Sequence, residues 1–318
     1  MLRLVILLAA GPLALHPWTA RAQGEFPARP IQVVNPASAG SISDTLLRAL
    51  APGLQARLGQ PIAVVNREGA SGAIGTAQVA RATPDGYTLL FGAVYSISVL
   101  PALRGDTGYR PEAFEPICRT FVNTMTLAVR PDRAFRSLGD LMAAARAQPG
   151  GLRFGHQGVA SIPHLAMMEL VQASGVQVQD VPYRGEPAAI VDLLGGRLDF
   201  VAIVLGSLRG RDLRPLAVFG TARHPLIPEV PTVIEAGFPV APTSFGGLFA
   251  PAGTPLAIRQ RIEAACAGAA EEEGYREAAR RGFQPEQYYA GMAEFAAALR
   301  RDIAEKERLL RALNLRVE

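Results

Sequence analysis

Residues 31 to 91 read IQVVNPASAGSISDTLLRALAPGLQARLGQPIAVVNREGASGAIGTAQVARATPDGYTLLF, and this stretch decides the fold. Ile31 to Val34 is a short apolar strand, followed by a Gly/Ser/Pro loop. From about Ser43 to Leu58, Leu46, Leu47, Leu50, Leu54 and Leu58 recur at helical spacing. The same grammar then repeats. Ile62 to Val65 is a strand, Asn66 to Gly72 a glycine-containing turn, and Ala73 to Ala82 a small-residue helix. After the Pro84-Asp85-Gly86 turn, Tyr87 to Phe91 reads as a third strand. Strand, helix, strand, helix, strand in this order predicts a parallel sheet, because parallel neighbours need crossovers and the helices supply them.

Outward from that stretch the alternation resumes after an interruption at Phe114 to Pro131. Ser137 to Ala147 is a helix capped by Ser137, with Asp140 where a capping box carries Glu or Gln. Arg153 to Gly155 is a strand, His164 to Ala173 a helix, Val178 to Val181 a strand and Pro187 to Leu194 a helix. Phe200 to Val204 and Leu216 to Phe219 are further strands. Pro255 to Glu273 and Met292 to Leu313 are long helices whose charged faces are expected to meet solvent.

The chain has 318 residues, 49% hydrophobic and 19% charged, which is enough for two lobes of globular composition. A formal charge of +4 with no polybasic region excludes nucleic acid as a partner class. Arg3, the apolar run Leu4 to Ala10 and the small-x-small string Ala20-Arg21-Ala22 read as an export signal, residues 1–22, cleaved after Ala22. Export puts the mature chain in the periplasm. Cys118 and Cys266 are too few for a disulfide framework; an oxidising compartment permits a bridge between them, but buried free thiols are the favoured reading.

The search for chemistry is negative. Gly69-Ala70-Ser71-Gly72-Ala73-Ile74-Gly75 is not a dinucleotide fingerprint, and no P-loop, zincin, nucleophile-elbow or C-x-x-C string occurs. His156 and His164 flank one loop but lack further metal ligands, so we expect no metal, no cofactor and no catalytic residue. What remains is a set of small-residue loops, each joining a strand to a helix N-terminus: Asn35 to Asp44, Asn66 to Ala73 and Gly92 to Ser98. A single such loop is equally well explained as a turn. Three of them, with a matching set in the second half, point to an anion site of backbone N–H groups beyond the carboxyl ends of the strands.

The ordered strings Phe26 to Ile31, Leu58 to Arg67, Thr83 to Leu90, Val181 to Gly185, Asp192 to Gly196, Glu229 to Gly237 and Leu248 to Pro255 make the mature chain resemble the Bug family of periplasmic solute receptors, related to tripartite tricarboxylate transporters. The resemblance implies an α/β, two-lobed type II periplasmic-binding-protein fold, each lobe a mainly parallel sheet flanked by helices, closing on a small organic carboxylate. It implies first-lobe contacts at Ser38, Ala39, Gly40, Ser41 and Ser43 and at Ala70, Ser71, Gly72 and Ala73, with Ala93, Val94 and Ser96 in a third loop. The implied second-lobe contacts are His156, Gln157, Val159, Ser161, Tyr183 and Ile203.

Departures from the family pattern bear on the ligand. Ile203 stands where many relatives place an aspartate suited to an ammonium group, and with Val94, Tyr95, Val159, Ile162 and Phe245 it would make the cleft wall apolar, the equal alternative being that several of these side chains turn into the core. The expected ligand is therefore a carboxylate with an apolar body rather than an amino acid. Lobe 1 is expected from residues 23–120 plus 240–318 and lobe 2 from 121–239, as a monomer with membrane transporter subunits as possible partners. An exported hydrolase-like enzyme using the same cleft is the alternative.

Overall fold

The computed structural model describes residues 26–315, so the expected export signal lies outside the described residues. The opening stretch folds as its pattern dictates. Strand β1 (Ile31–Asn35) leads to helix α1 (Ile42–Leu58), whose Ser41 cap accepts the Asp44 amide and whose end is closed by Gly59 at φ 70°. All five periodic leucines of α1 are buried. Strand β2 (Ile62–Asn66), helix α2 (Ala73–Ala80) and strand β3 (Thr88–Ala93) follow, with β2 and β3 parallel to β1 on either side. Two short helices, α3 (Tyr95–Ser98) and α4 (Leu100–Leu103), come next.

The interruption at Phe114 to Pro131 holds two strands, β4 (Phe114–Val122) and β5 (Met125–Val129). After them come α5 (Leu138–Ala147), β6 (Arg153–His156), α6 (Ile162–Ser174), β7 (Gln179–Pro182), α7 (Glu186–Leu194), β8 (Phe200–Val204), β9 (Arg214–Phe219) and β10 (Phe245–Pro251). The chain ends in α8 (Leu256–Ala270), α9 (Glu273–Arg281) and α10 (Met292–Ala312); α8 and α10 are the two expected C-terminal helices, and α9 is a further one the sequence reading did not include.

Two five-stranded sheets result, ordered β2-β1-β3-β10-β4 and β7-β6-β8-β5-β9. Each has one reversed strand in the fourth place, β10 in the first and β5 in the second, so both are mixed. Each reversed strand arrives from the other sheet: β4 hands over to β5, and β9 to β10. The two connections are tied together where the Asn123 amide donates to the Ser244 carbonyl at 2.7 Å. Strand β10 was masked in the sequence by Gly246 and Gly247, which permit close pairing. A Cβ on Gly247 would lie 1.9 Å from the Cys118 carbonyl.

One core of the first sheet lies under α1 and α8, and another lies under α2 and α10. The second sheet packs α5 and α6 on one face and α7 on the other. Leu310, near the end of α10, joins the second sheet's core beside Leu127 and Leu165. On the same helix Asp302 and Lys306 are buried rather than solvent-facing, with Asp302 accepting from Thr243 at 2.7 Å.

The free-thiol expectation is corrected. Cys118 on β4 and Cys266 on α8 form a disulfide across 148 residues. Sequence distance concealed it because β10, the neighbour of β4, and the helix that follows it come from the far end of the chain.

Candidate functional site

The loops expected to bind an anion collect at the carboxyl edges of the two sheets. In the first sheet β1, β2 and β3 end at Asn35, Asn66 and Ala93, and each runs into a helix N-terminus. The β1–α1 loop is held from below. Asn35 Oδ1 accepts from the Ala37 amide and from Ser43 Oγ, both at 3.2 Å. Asp44 Oδ2 accepts the Gly40 amide at 2.8 Å, while Asn66 Nδ2 donates to the Ala37 carbonyl and to Asp44 Oδ1. Burial opposes the charge on Asp44, but hydrogen bonds from Arg48, Gly40 and Asn66 outweigh it and hold its carboxyl below the ordinary range. Asp44 is thus a strut of the loop.

The second loop carries the strongest geometric signal. Gly69, Ala70, Ser71 and Gly72 have φ of 121°, 46°, 58° and 96°, four consecutive positive values of which two belong to residues with a Cβ. Such backbone costs about 1–3 kcal/mol per non-glycine residue and persists only where surroundings impose it, typically at ligand sites. Ser38 Oγ donates to the Glu68 carboxylate, and Tyr95 bonds Ser71, so this loop touches both the first loop and α3. Burial pushes the Tyr95 phenol up to about 12.

In the second sheet β6, β7 and β8 end at His156, Pro182 and Val204. Gly158 at φ 125°, Ala160 at φ 55° and Gly185 at φ 146° turn these loops. Ser161 caps α6 by accepting the His164 amide. Glu186, the first residue of α7, accepts the Val204 amide at 3.0 Å and bonds Ser207, and burial raises its carboxyl above the ordinary range. The two edges meet: a Cβ on Gly206 would lie 3.3 Å from Ile42 at the start of α1 and 2.8 Å from the Gly282 carbonyl. His224 Nε2 lies 3.0 Å from the Phe283 carbonyl and Arg209 Nη1 donates to the Arg281 carbonyl, so contacts between the two halves run beside the loops.

The carboxyl edges of the two sheets, with their positive-φ loops, thus lie beside one another. Residues 46–315 match the model of the family described as tripartite tricarboxylate transporter family receptor. The chain belongs to that family. The protein BugT of Bordetella pertussis is 36% identical over 242 residues, covering 72% of each chain. Among solved structures, R. palustris Rpa4515 with adipate superposes with a TM-score of 0.83 at 27% identity, covering 92% of this chain and 99% of that one. MatC from Rhodopseudomonas palustris with bound malate gives 0.78 at 28% identity, covering 90% and 100%. The match spans both sheets, so this receptor has the two-lobed α/β architecture of its family.

Within this receptor the expected contact residues separate into two groups. Ser38, Ala39, Gly40, Ala70, Ser71, Gln157 and Val159 are exposed, and Ser41, Ser43, Ala93 and Tyr183 are half-buried. Gly72 and Ala73 are buried but belong to the strained second loop and the helix it opens. Ser161 is buried as the α6 cap.

Others are corrected. Val94 packs in a first-sheet core, Ser96 Oγ donates back to the Ala93 carbonyl, and Ile203 is 0% exposed against Ala189, Ile190 and Leu193. Ile162 and Phe245 are likewise core residues. On β8 successive side chains alternate between faces, and Ile203 takes the face covered by α7. Of the residues expected to make the wall apolar, Val159 is exposed and Tyr95 half-buried, the latter packed against both the first-sheet and second-sheet cores.

His156 is fully buried and turned toward Asp180 on β7. His156, His164 and Asp180 bring ligand-type atoms within 4.8 Å of one another. His164 Nδ1, however, accepts the Ala160 amide at 3.0 Å, which places the ring proton on Nε2 facing Asp180. That nitrogen serves as a hydrogen-bond donor in this arrangement. The sequence reading missed Asp180, Glu68 and Glu186; the available signal was an acid beside each small-residue loop, which looks the same as an exposed surface charge.

Proposed function

We propose that this chain is an exported periplasmic receptor that binds a small organic carboxylate between its lobes and presents it to membrane subunits of a tripartite tricarboxylate-type transporter or to a sensor. The observation that carries the reading is the run of four positive-φ residues, Gly69 to Gly72, beside the N-terminus of α1. The Gly72 and Ala73 amides close this turn on Gly69 and Ala70, which holds the tight loop at the start of α2 beside the α1 N-terminus, whose partial positive charge favours an anion. Receptors of this fold solved with adipate and malate support the same ligand class.

In this reading the export signal ends at Ala22, lobe 1 comprises residues 23–120 with 240–318 and lobe 2 residues 121–239, and the receptor acts as a monomer. The contacts are drawn from the exposed parts of the loops at Ser38 to Ser43, Ala70 to Ala73, Gln157 to Ser161 and Tyr183. With Ile203, Val94 and Ile162 in the cores, the apolar part of the ligand meets Tyr95 and Val159 only, which suits a short hydrocarbon body.

The family is one of solute receptors, so binding without turnover is the activity we expect. A thermal-shift screen of the mature protein against adipate, malate, benzoate and butyrate tests it. A carboxylate at 100 times its dissociation constant adds about 2.7 kcal/mol of stability, a shift of several degrees. Hydrolysis of an ester or amide that a single substitution abolishes, or no shift with any carboxylate at millimolar concentration, overturns the proposal.

A further inference from the structure

The loop between β6 and α6 is held between two imidazoles. His156 ends β6 and His164 lies in the first turn of α6, with rings 4.5 Å apart and 0% and 2% exposed. Both Nε2 atoms face one carboxylate. His156 Nε2 is 2.5 Å from Asp180 Oδ1, and His164 Nε2 is 3.3 Å from Asp180 Oδ2; the His156 contact is made at ion-pair distance without hydrogen-bond alignment, and that nitrogen has no hydrogen-bond partner among the described residues. The opposite ring nitrogens hold the loop itself. His164 Nδ1 accepts the Ala160 amide at 3.0 Å, and His156 Nδ1 lies 2.7 Å from the Gly158 carbonyl and 3.2 Å from its amide nitrogen. Gly158 and Ala160 are the two residues of this loop with positive φ, so the rings grip the strained points of the turn.

We propose that Asp180 is a positioning residue for ligand binding. Its two oxygens stand against two imidazoles, and the imidazoles take up the amides of Gly158 and Ala160, so that the turn keeps one conformation at the cleft edge. Asp180 itself touches no ligand. The proposal rests on the reading that this loop is one of those that bind the carboxylate.

The arrangement resembles the outer partners that orient metal-bound or catalytic imidazoles, with a backbone turn in the place of the reacting group. It also makes a graded prediction. An aspartate offers acceptors to both rings, an asparagine to one, and an alanine to neither.

The experiment is calorimetric titration of the mature protein with whichever of adipate, malate, benzoate and butyrate shifts its melting temperature most. The variants are Asp180→Asn, Asp180→Ala, His164→Ala and the double variant Asp180→Ala/His164→Ala. Affinity should fall about tenfold or more in Asp180→Ala, and by an intermediate factor in Asp180→Asn. The double variant should bind about as weakly as Asp180→Ala alone, because both residues act through one relay. Wild-type affinity in Asp180→Ala, or additive losses in the double variant, overturns the proposal. Amide resonances of Gly158 and Ala160 supply a second measurement that needs neither ligand nor the alanine variant to fold. Displacement in Asp180→Asn supports the relay, and unmoved resonances refute it. Failure of the wild type to bind any of the four acids would count against the carboxylate reading, while the resonance measurement would still judge the relay.

Discussion

Gly75 sits in α2 where the first two candidate loops press against one helix, and Gly75→Ala perturbs that junction with a single methyl. The added Cβ would stand 2.6 Å from the Arg67 carbonyl oxygen and 3.1 Å from Pro36 Cα. Ordinary contact begins at 3.4 Å, and both obstacles are backbone, so α2 and the Arg67 to Gly69 segment must separate by about 0.8 Å. Overpacking of this kind costs about 1–3 kcal/mol, against which alanine in a helix interior returns about 1 kcal/mol relative to glycine. Net stability therefore changes little, by about 0–2 kcal/mol. Binding should suffer more. A donor moved by about 0.8 Å from a carboxylate passes from a good hydrogen bond to none, and each bond to a charged partner contributes about 1.5–3 kcal/mol, or roughly 10- to 150-fold in affinity. Calorimetric titration measures the affinity and urea unfolding the stability. Affinity within threefold of wild type in a folded Gly75→Ala protein would show that the second loop does not touch the ligand.

Three other outcomes follow from the packing and the charges. Replacing Cys118 and Cys266 by alanine removes a crosslink spanning 148 residues, worth at most about 5 kcal/mol in chain entropy, and urea unfolding of the double variant should show a loss of that order, with no thiol titrating in the unreduced wild type. Ile203→Asp buries an unpaired carboxylate beneath α7, so it should lower the yield of folded protein or the melting temperature severely and confer no affinity for amino acids in a binding screen. Asp180 is subject to burial, which favours its neutral form, but the bonds and charges of His156 and His164 outweigh this and hold its carboxyl well below the ordinary value of 3.8. A depressed carboxyl contributes stability above its unfolded value and loses it as pH falls through its folded value, so unfolding free energies between pH 5 and pH 2 should fall less steeply in Asp180→Asn than in the wild type.

Much of the candidate site was legible because helix starts are written locally. Ser137 announces its helix by accepting the amide three residues on, and Ser41 and Ser161, which the sequence reading placed just outside their helices, do the same, while α2 starts from Gly72 with no side-chain cap. Orientation was not legible. Val94, Ile162 and Ile203 occupy loop or strand-end positions that a family resemblance places near ligand, yet each turns into a core because neighbouring helices supply apolar partners that the local sequence does not name. Asp180 illustrates the opposite failure, an acid indistinguishable from a surface charge until β6 and α6 bring two imidazoles to it.

By itself, then, the sequence determined the alternation of strands and helices, the loops at the helix starts, the absence of catalytic motifs and the family, because each rests on periodicity, capping or ordered strings within a few tens of residues. Only the tertiary structure decided the reversed strands β5 and β10, the disulfide between Cys118 and Cys266, the passage of α10 to the second core and the carboxylate–imidazole relay behind Gly158 and Ala160. Each of these joins segments whose partners are distant in the chain, or depends on which face of a strand a side chain takes. Both are set by the packing of whole sheets and helices rather than by any local pattern.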